Sequence, residues 1–453
     1  MQQLTTDLAQ VHSQLANTME WDQRLLTRIT ERCARVGVVG LGYVGLPLAI
    51  GWARSGFLVT GIDVDQLRVD MCLQSKSWIT DVQSEDLGAM IREGQLTATS
   101  DTSLFSELDV IIICVPTPLN EAKQPDIGAI LTVVDAIAAY LRPGQLIVLE
   151  STTYPGTTDD CILSRLQQSG LKVGEEFFLG YSPERIDPGN TQYGLRNTPK
   201  VIAGITSSCI KLTRALYETV VDTIIPVSST RTAELVKLFE NTFRAVNIGL
   251  VNELAMMANL LKVDVWEVIS AAGTKPYGFT TFYPGPGIGG HCIPIDPHYL
   301  AWKLSTLNFT SRLIEAACKI NEQMPRYVVE RIRRVLKDAG KCLDVSRILV
   351  LGVAYKRDVA DLRESPAIEI IDLLRDYKAE VDYADPYIPV ITLKKEVLTA
   401  VPLDEDLVRD ADCVLILTDH SLFDYASIVR TASLVIDTRN ATEGISEPHV
   451  VRL

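Results

Sequence analysis

The residue best suited to covalent chemistry is Cys292, in the segment YPGPGIGGHCIPIDP over 283–297. Four glycines and several prolines make this stretch too irregular for a helix or strand, and suited to close backbone approach. A thiol on such a loop is open to an electrophile from several sides, which a nucleophile requires. Six other cysteines (33, 72, 114, 161, 318 and 413) lie in or beside apolar runs, where a small inert side chain is expected. The nine cysteines contain no CxxC pair, so neither a disulfide scaffold nor a structural zinc site is expected. Lys237 and Asn241 are four residues apart in a helical stretch and share one face. Lys237 stands among Leu235, Val236, Leu238 and Phe239, so it either snorkels to water or is desolvated toward a chemical role.

A second group of residues reads as a dinucleotide site. Gly40, Gly42 and Gly45 form GxGxxG directly after the apolar run 35–40 and at the start of a helix. The first glycine allows the tight turn, the second lets backbone approach a pyrophosphate, and the third lets helix and strand pack closely. Asp63 ends the next strand, where a carboxylate accepts ribose hydroxyls and repels a 2′-phosphate; NAD is therefore expected over NADP. Thr117 and Thr152 follow the strands 110–115 and 146–151, at the edge of a parallel sheet where ligands bind. They are placed to reach the nicotinamide end, or else simply start helices. Farther on, Lys356, Arg357 and Asp358, then Asp361, Arg363 and Glu364, form a charged βα junction, either solvated or suited to a diphosphate.

These residues need a scaffold. The runs 35–40, 57–63, 110–115 and 146–151 read as strands buried on both faces, with helices over 44–55 and 127–141 between them. That rhythm means βαβ units and a parallel sheet. It stops at Thr230–Leu261, one long helical stretch without proline, followed by the glycine-rich loop and a second long helix around 313–335. Phe243, Leu250 and Met257 recur at seven-residue steps on the first helix and call for a partner surface, so a homodimer or higher oligomer is expected. After 341 the strand–helix rhythm returns. The expected α/β chain has a leader (1–33), a Rossmann-type domain (34–222), a central helical hub (223–340) and a smaller Rossmann-like α/β domain (341–453). In the leader, Leu4, Leu8, Val11 and Leu15 have helical spacing.

Composition excludes several function classes. Lys+Arg total 43 against 57 Asp+Glu, a net charge of −14, which disfavours nucleic-acid or anionic-membrane partners. No apolar run approaches a membrane span, and the N-terminus has no signal-peptide core, so a cytoplasmic location is expected.

GLGYVGLPLA (40–49), PTP (116–118), the 151–155 stretch, SPERIDPGN (182–190), ELVKLFENTFRAVNI (234–248), PGPGIGGHCIPIDP (284–297) and GVAYKRDVADLRESP (352–366) occur in one order. This order resembles the UDP-glucose/GDP-mannose dehydrogenase family, NAD-dependent enzymes that turn nucleotide sugars into uronic acids. The resemblance implies that the 341–453 domain binds UDP and that Cys292 is the nucleophile, supported by Lys237, Asn241, Asp296, Glu184 and Thr152. It further implies that Val44, Asp63, Arg68, Thr117, Thr152 and Arg363 contact NAD, with Gly40, Gly42 and Gly45 in the phosphate loop. Glu184, Lys237, Asn241, Tyr283, Gly289 and Lys356 would meet the sugar nucleotide. One departure bears on the substrate. UDP-glucose enzymes of this kind carry an arginine upstream of the glycine-rich loop, whereas 275–283 here has none and supplies Tyr277, Phe279, Phe282 and Tyr283. A UDP-N-acetylhexosamine is therefore expected, UDP-N-acetylglucosamine ahead of UDP-N-acetylmannosamine or UDP-glucose, with the uronic acid destined for a surface polysaccharide. The alternatives are a two-electron hydroxyacid dehydrogenase, which explains neither Cys292 nor the last domain, and a non-catalytic nucleotide-sugar-binding protein, which predicts a broken site.

Overall fold

A computed structural model describes residues 20–79, 82–187, 189–190 and 192–453. The expected leader positions Leu4, Leu8, Val11 and Leu15 lie outside these residues. The helix Trp21–Thr30 is described, and it buries Leu25 and Ile29. The chain forms two compact units, one reaching to Phe239 and one starting at Glu240, and the 32-residue helix Thr230–Leu261 crosses that division.

The first unit is built on eight strands: β1 (Arg35–Val39), β2 (Leu58–Ile62), β3 (Leu96–Thr99), β4 (Val110–Ile113), β5 (Gln145–Leu149), β6 (Phe177–Tyr181), β7 (Lys200–Gly204) and β8 (Ile224–Pro226). They line up as β3-β2-β1-β4-β5-β6-β7-β8. Their first six positions have the doubly wound dinucleotide-binding order, whose crevice opens where the order reverses between β1 and β4. β4, β5 and β6 are buried at every residue, as uninterrupted apolar runs between two helical layers must be. The helices Gly45–Arg54 and Gly128–Tyr140 fall within a residue or two of the ranges the periodicity predicts. β7 departs from the pattern: it pairs antiparallel with β6.

The second unit holds a parallel sheet of β9 (Arg347–Leu351), β10 (Glu380–Ala384), β13 (Cys413–Ile416), β14 (Val435–Asp437) and β15 (Val450–Arg452), in the order β10-β9-β13-β14-β15. A small antiparallel hairpin, β11 (Val390–Thr392) with β12 (Val397–Thr399), stands beside it. The second long helix runs Arg312–Asp338 and contains Pro325. It packs closely on the first: a Cβ at Gly249 would lie 3.1 Å from the Ala317 Cβ. Between them, Asn252 donates to the Asn321 side-chain oxygen at 2.9 Å, and Asn321 donates to the Ala245 carbonyl at 3.0 Å. Buried amides joined in this way fix the register of two apolar helices. Phe243, Leu250 and Met257 are exposed along the first helix, with Phe239 and Leu260. Among the described residues, no helix is long and apolar enough to cross a membrane.

Candidate active site

The glycine loop after β1 has the geometry that GxGxxG predicts. Gly40 has φ +93°, and any Cβ there would sit 2.5 Å from the Cys114 carbonyl oxygen. A Cβ at Gly45 would strike the Gly40 carbonyl oxygen. These two glycines are required by the protein's own packing. Gly42 is different, because a Cβ there would meet no atom within 4 Å. The space a side chain would fill is kept open toward the outside, as a backbone cradle for a pyrophosphate requires, so the residues present fit NAD. Asp63 is buried; one carboxylate oxygen accepts the Leu41 amide at 2.7 Å and the other the Asp65 amide at 2.9 Å. It thereby latches the glycine loop to the end of β2. The Arg68 guanidinium stands 3.5 Å from the first oxygen. Val44 directly precedes the helix that begins at Gly45.

The ends of β4 and β5 are tied together. The Ser151 hydroxyl donates to the Val115 carbonyl at 2.7 Å, which holds the segments carrying buried Thr117 and half-buried Thr152 side by side. Glu234, the fifth residue of the long helix, accepts the Gly156 amide at 2.5 Å and both the amide and hydroxyl of Thr158. Burial pushes its carboxyl up to about 7 in spite of these donors. This clamp fixes the Thr152–Pro155 turn relative to Lys237, three residues farther along the helix. Lys237 is only 7% exposed, so it does not snorkel: Leu235 and Phe239 take the outer face and the lysine the inner one. Its charge helps hold the Glu184 carboxyl low.

In the second unit, the two most distinctive sequence segments meet. A Cβ at Gly289 would lie 2.6 Å from the Tyr355 Cβ and 2.9 Å from the Glu364 carbonyl oxygen, and one at Gly290 would touch the Tyr355 ring. The Gly290 amide donates to the Arg363 carbonyl at 2.9 Å. Glycine in GGHC is thus required for the loop that carries Cys292 to lie on the 355–366 segment, which also carries half-buried Lys356. Asp358 and Glu364 of that segment have φ of +58° and +51°, a conformation non-glycine residues rarely hold. At the loop's other end, Asn252 accepts the Gly285 amide at 2.9 Å, joining the loop to the paired helices. Cys292 stands one turn ahead of the helix Asp296–Ser305, and its carbonyl accepts the Asp296 amide at 2.9 Å. Its sulfur lies 4.0 Å from His291 Nδ1. Asp296 is buried and accepts the Asn241 side-chain amide at 2.5 Å. Thiol, carboxylate and amide therefore share one scaffold, as covalent capture of a carbonyl requires.

Other expected site residues also have partners within the protein. Tyr283 stacks on Trp266 at 6.0 Å, and Phe282 packs edge-on against Phe243 at 5.8 Å, so both tie the loop to helices. The Arg363 guanidinium forks onto Asp361, with one contact at 2.6 Å. Cys33, expected in an apolar setting, is exposed after the first described helix, whereas Cys72, Cys114 and Cys413 are buried. Three features were missed from sequence. Arg439 donates to the Leu417 carbonyl at 2.9 Å, and its guanidinium lies where any side chain at Gly285 would collide with it. Buried His420 bridges Asp385 at 3.0 Å and accepts the Asp358 amide at 3.0 Å, fixing the 352–366 loop. Lys200 joins Glu150 to Glu184 in the first unit.

Comparison with known proteins agrees with this arrangement. The UDP-glucose/GDP-mannose dehydrogenase family profiles match three stretches: the NAD binding domain over residues 34–221, the central domain over 231–323 and the UDP binding domain over 349–444. A UDP-N-acetyl-D-glucosamine 6-dehydrogenase of Salmonella typhi is 34% identical over 86% of this chain and 90% of its own length. A UDP-N-acetyl-D-mannosamine dehydrogenase of Methanocaldococcus jannaschii is 36% identical over 90% of this chain and 92% of its own. The solved structure of a UDP-D-ManNAc dehydrogenase from Pyrococcus horikoshii superposes with a TM-score of 0.83 at 33% identity, covering 92% of this chain and 98% of that one. With the glycine cradle, the buried lysine and the GGHC loop in their expected elements, the chain belongs to the UDP-glucose/GDP-mannose dehydrogenase family.

Proposed function

We propose that the protein oxidises the C6 hydroxymethyl of a UDP-N-acetylhexosamine, UDP-N-acetylglucosamine in first place, to a carboxylate through a covalent intermediate on Cys292. The observation that carries this reading is the GGHC loop. Its glycines press it onto the segment bearing Lys356 and Arg363, while Asn241 and Asp296 join beside the helix that follows the thiol. Gly40, Gly42 and Gly45 would hold NAD, which would supply the hydride acceptor for each of the two oxidations. Asp296, acting with Lys237 or through a water, takes the hydroxyl proton of the alcohol. Cys292 adds to the resulting aldehyde as a thiohemiacetal, which becomes a thioester when its hydride leaves; water then releases the acid and restores the thiol. The Lys237 ammonium and the Asn241 amide stabilise the oxyanion at each tetrahedral stage.

The sugar follows from the 275–283 segment, which lacks an arginine to meet a bare 2-hydroxyl, and from relatives named for acetamido sugars. With UDP-N-acetylglucosamine, UDP-N-acetylmannosamine and UDP-glucose compared at equal concentration, kcat/KM is expected to be highest for UDP-N-acetylglucosamine and at least ~10-fold lower for UDP-glucose. A higher value for UDP-glucose than for both acetamido sugars would overturn the assignment. The exposed row Phe239, Phe243, Leu250 and Met257 supports self-association through the long helix. The mass measured by light scattering at micromolar protein should then be that of a dimer or larger, and a strict monomer would contradict it.

A further inference from the structure

The first unit buries three charged side chains in one cluster. Because β7 runs antiparallel to β6, its first residue, Lys200, stands at the same sheet edge as the C-terminal ends of β5 and β6. Its ammonium reaches Glu150, just after β5, at 2.8 Å and Glu184, three residues beyond β6, at 3.1 Å. Exposure is 0% at Glu150 and 3% at Lys200. The Tyr217 hydroxyl, from the end of the helix Ser207–Tyr217, donates to the remaining oxygen of Glu150. The other oxygen of Glu184 accepts the Arg185 and Ile186 amides at 2.7 and 2.6 Å. Every oxygen of both carboxylates therefore has a donor.

We propose that Lys200 is a positioning residue for the dehydrogenase reaction, bridging Glu150 and Glu184 so that the Glu184 carboxylate is fixed as an anion at the ligand edge of the sheet. This rests on the reading of Glu184 as an active-site group. One ammonium between two carboxylates leaves an excess buried negative charge, which is relieved when one of them carries a proton. Burial pushes Glu150 up to about 7, against the pull of Lys200. Burial penalises Glu184 as well, but Lys200, the Ile186 amide and Lys237 outweigh it and hold that carboxyl below its ordinary value. The two carboxylates are therefore pushed in opposite directions: Glu150 takes up a proton at higher pH than Glu184 does, and Glu184 is the one that stays anionic beside the lysine. The other titratable groups facing the cluster are Tyr217, Cys114 and Lys237. An anion held in this way accepts a proton from the water that hydrolyses the thioester.

The test compares K200M/E150Q with E150Q, because the double variant has one buried carboxylate and so avoids an unpaired cluster of two. With UDP-N-acetylglucosamine and NAD, kcat should fall at least ~10-fold relative to E150Q while both KM values stay within about threefold. The acidic limb of the kcat–pH profile should move up by about one pH unit or more, since Glu184 has lost its cation. K200R keeps the charge and should hold that limb within about 0.3 unit of wild type, which a merely structural lysine would not require. E184Q should lose at least as much kcat as the double variant. A crippled E184Q beside a double variant with the kcat and acidic limb of E150Q would overturn the role of Lys200. An E184Q with wild-type kcat would overturn the reading of Glu184 itself, and the role of Lys200 with it.

Discussion

Cys292→Ser is expected to bind the UDP-sugar with a Kd within about threefold of wild type and to lose at least ~10³-fold in the rate of carboxylate formation. Binding should survive because Gly289 and Gly290 seat the loop against Tyr355 and the Arg363 carbonyl, contacts that do not involve the sulfur. Turnover should collapse because a serine hydroxyl is almost wholly protonated at neutral pH, and an ester yields to water more slowly than a thioester. Mass spectrometry of the variant after incubation with both substrates should find either no adduct or a long-lived ester at position 292. Wild-type turnover would return the cysteine to a structural role.

Asp63→Ala should raise the KM for NAD by roughly 10²-fold and shrink the preference for NAD over NADP. The effect is large because the carboxylate has two tasks. On the proposed reading it offers acceptors to the ribose hydroxyls, and it holds the Leu41 amide at 2.7 Å, keeping the glycine loop on β2. Asp63→Asn separates the two, since its side-chain oxygen still accepts the amide while the charge that repels a 2′-phosphate is gone. Initial rates with each cofactor measure both variants. An Asp63→Ala enzyme with a KM for NAD within threefold of wild type would remove Asp63 from the cofactor site.

The sequence makes some of this plain and hides the rest for physical reasons. Uninterrupted apolar runs such as Val110–Ile113 and 146–149 announce strands buried on both faces, and the place of Asp63 at a strand end follows from chain order. The fate of Lys237 was not legible, because four apolar neighbours on successive helical positions leave either face open. Only tertiary packing turns Leu235 and Phe239 outward and the lysine inward. Lys200 reads in sequence as a cation flanking an apolar strand. Its part in the site depends on β7 running against β6, which reverses which end of the strand meets the ligand edge. The contact of Gly289 and Gly290 with Tyr355 joins segments more than sixty residues apart, and local spacing carries no trace of it. The packing of the 275–283 aromatics was likewise not legible: Phe282 meets Phe243 edge-on and Tyr283 stacks on Trp266, partners that lie outside the segment.

The covalent four-electron route through Cys292 is tested most directly by counting NADH. A limiting amount of UDP-N-acetylglucosamine, exhausted by the enzyme in excess NAD, should yield two NADH and one uronic acid per sugar, with no free aldehyde trapped by added semicarbazide. One NADH per sugar, with the aldehyde recovered as its semicarbazone, would contradict the thioester at Cys292.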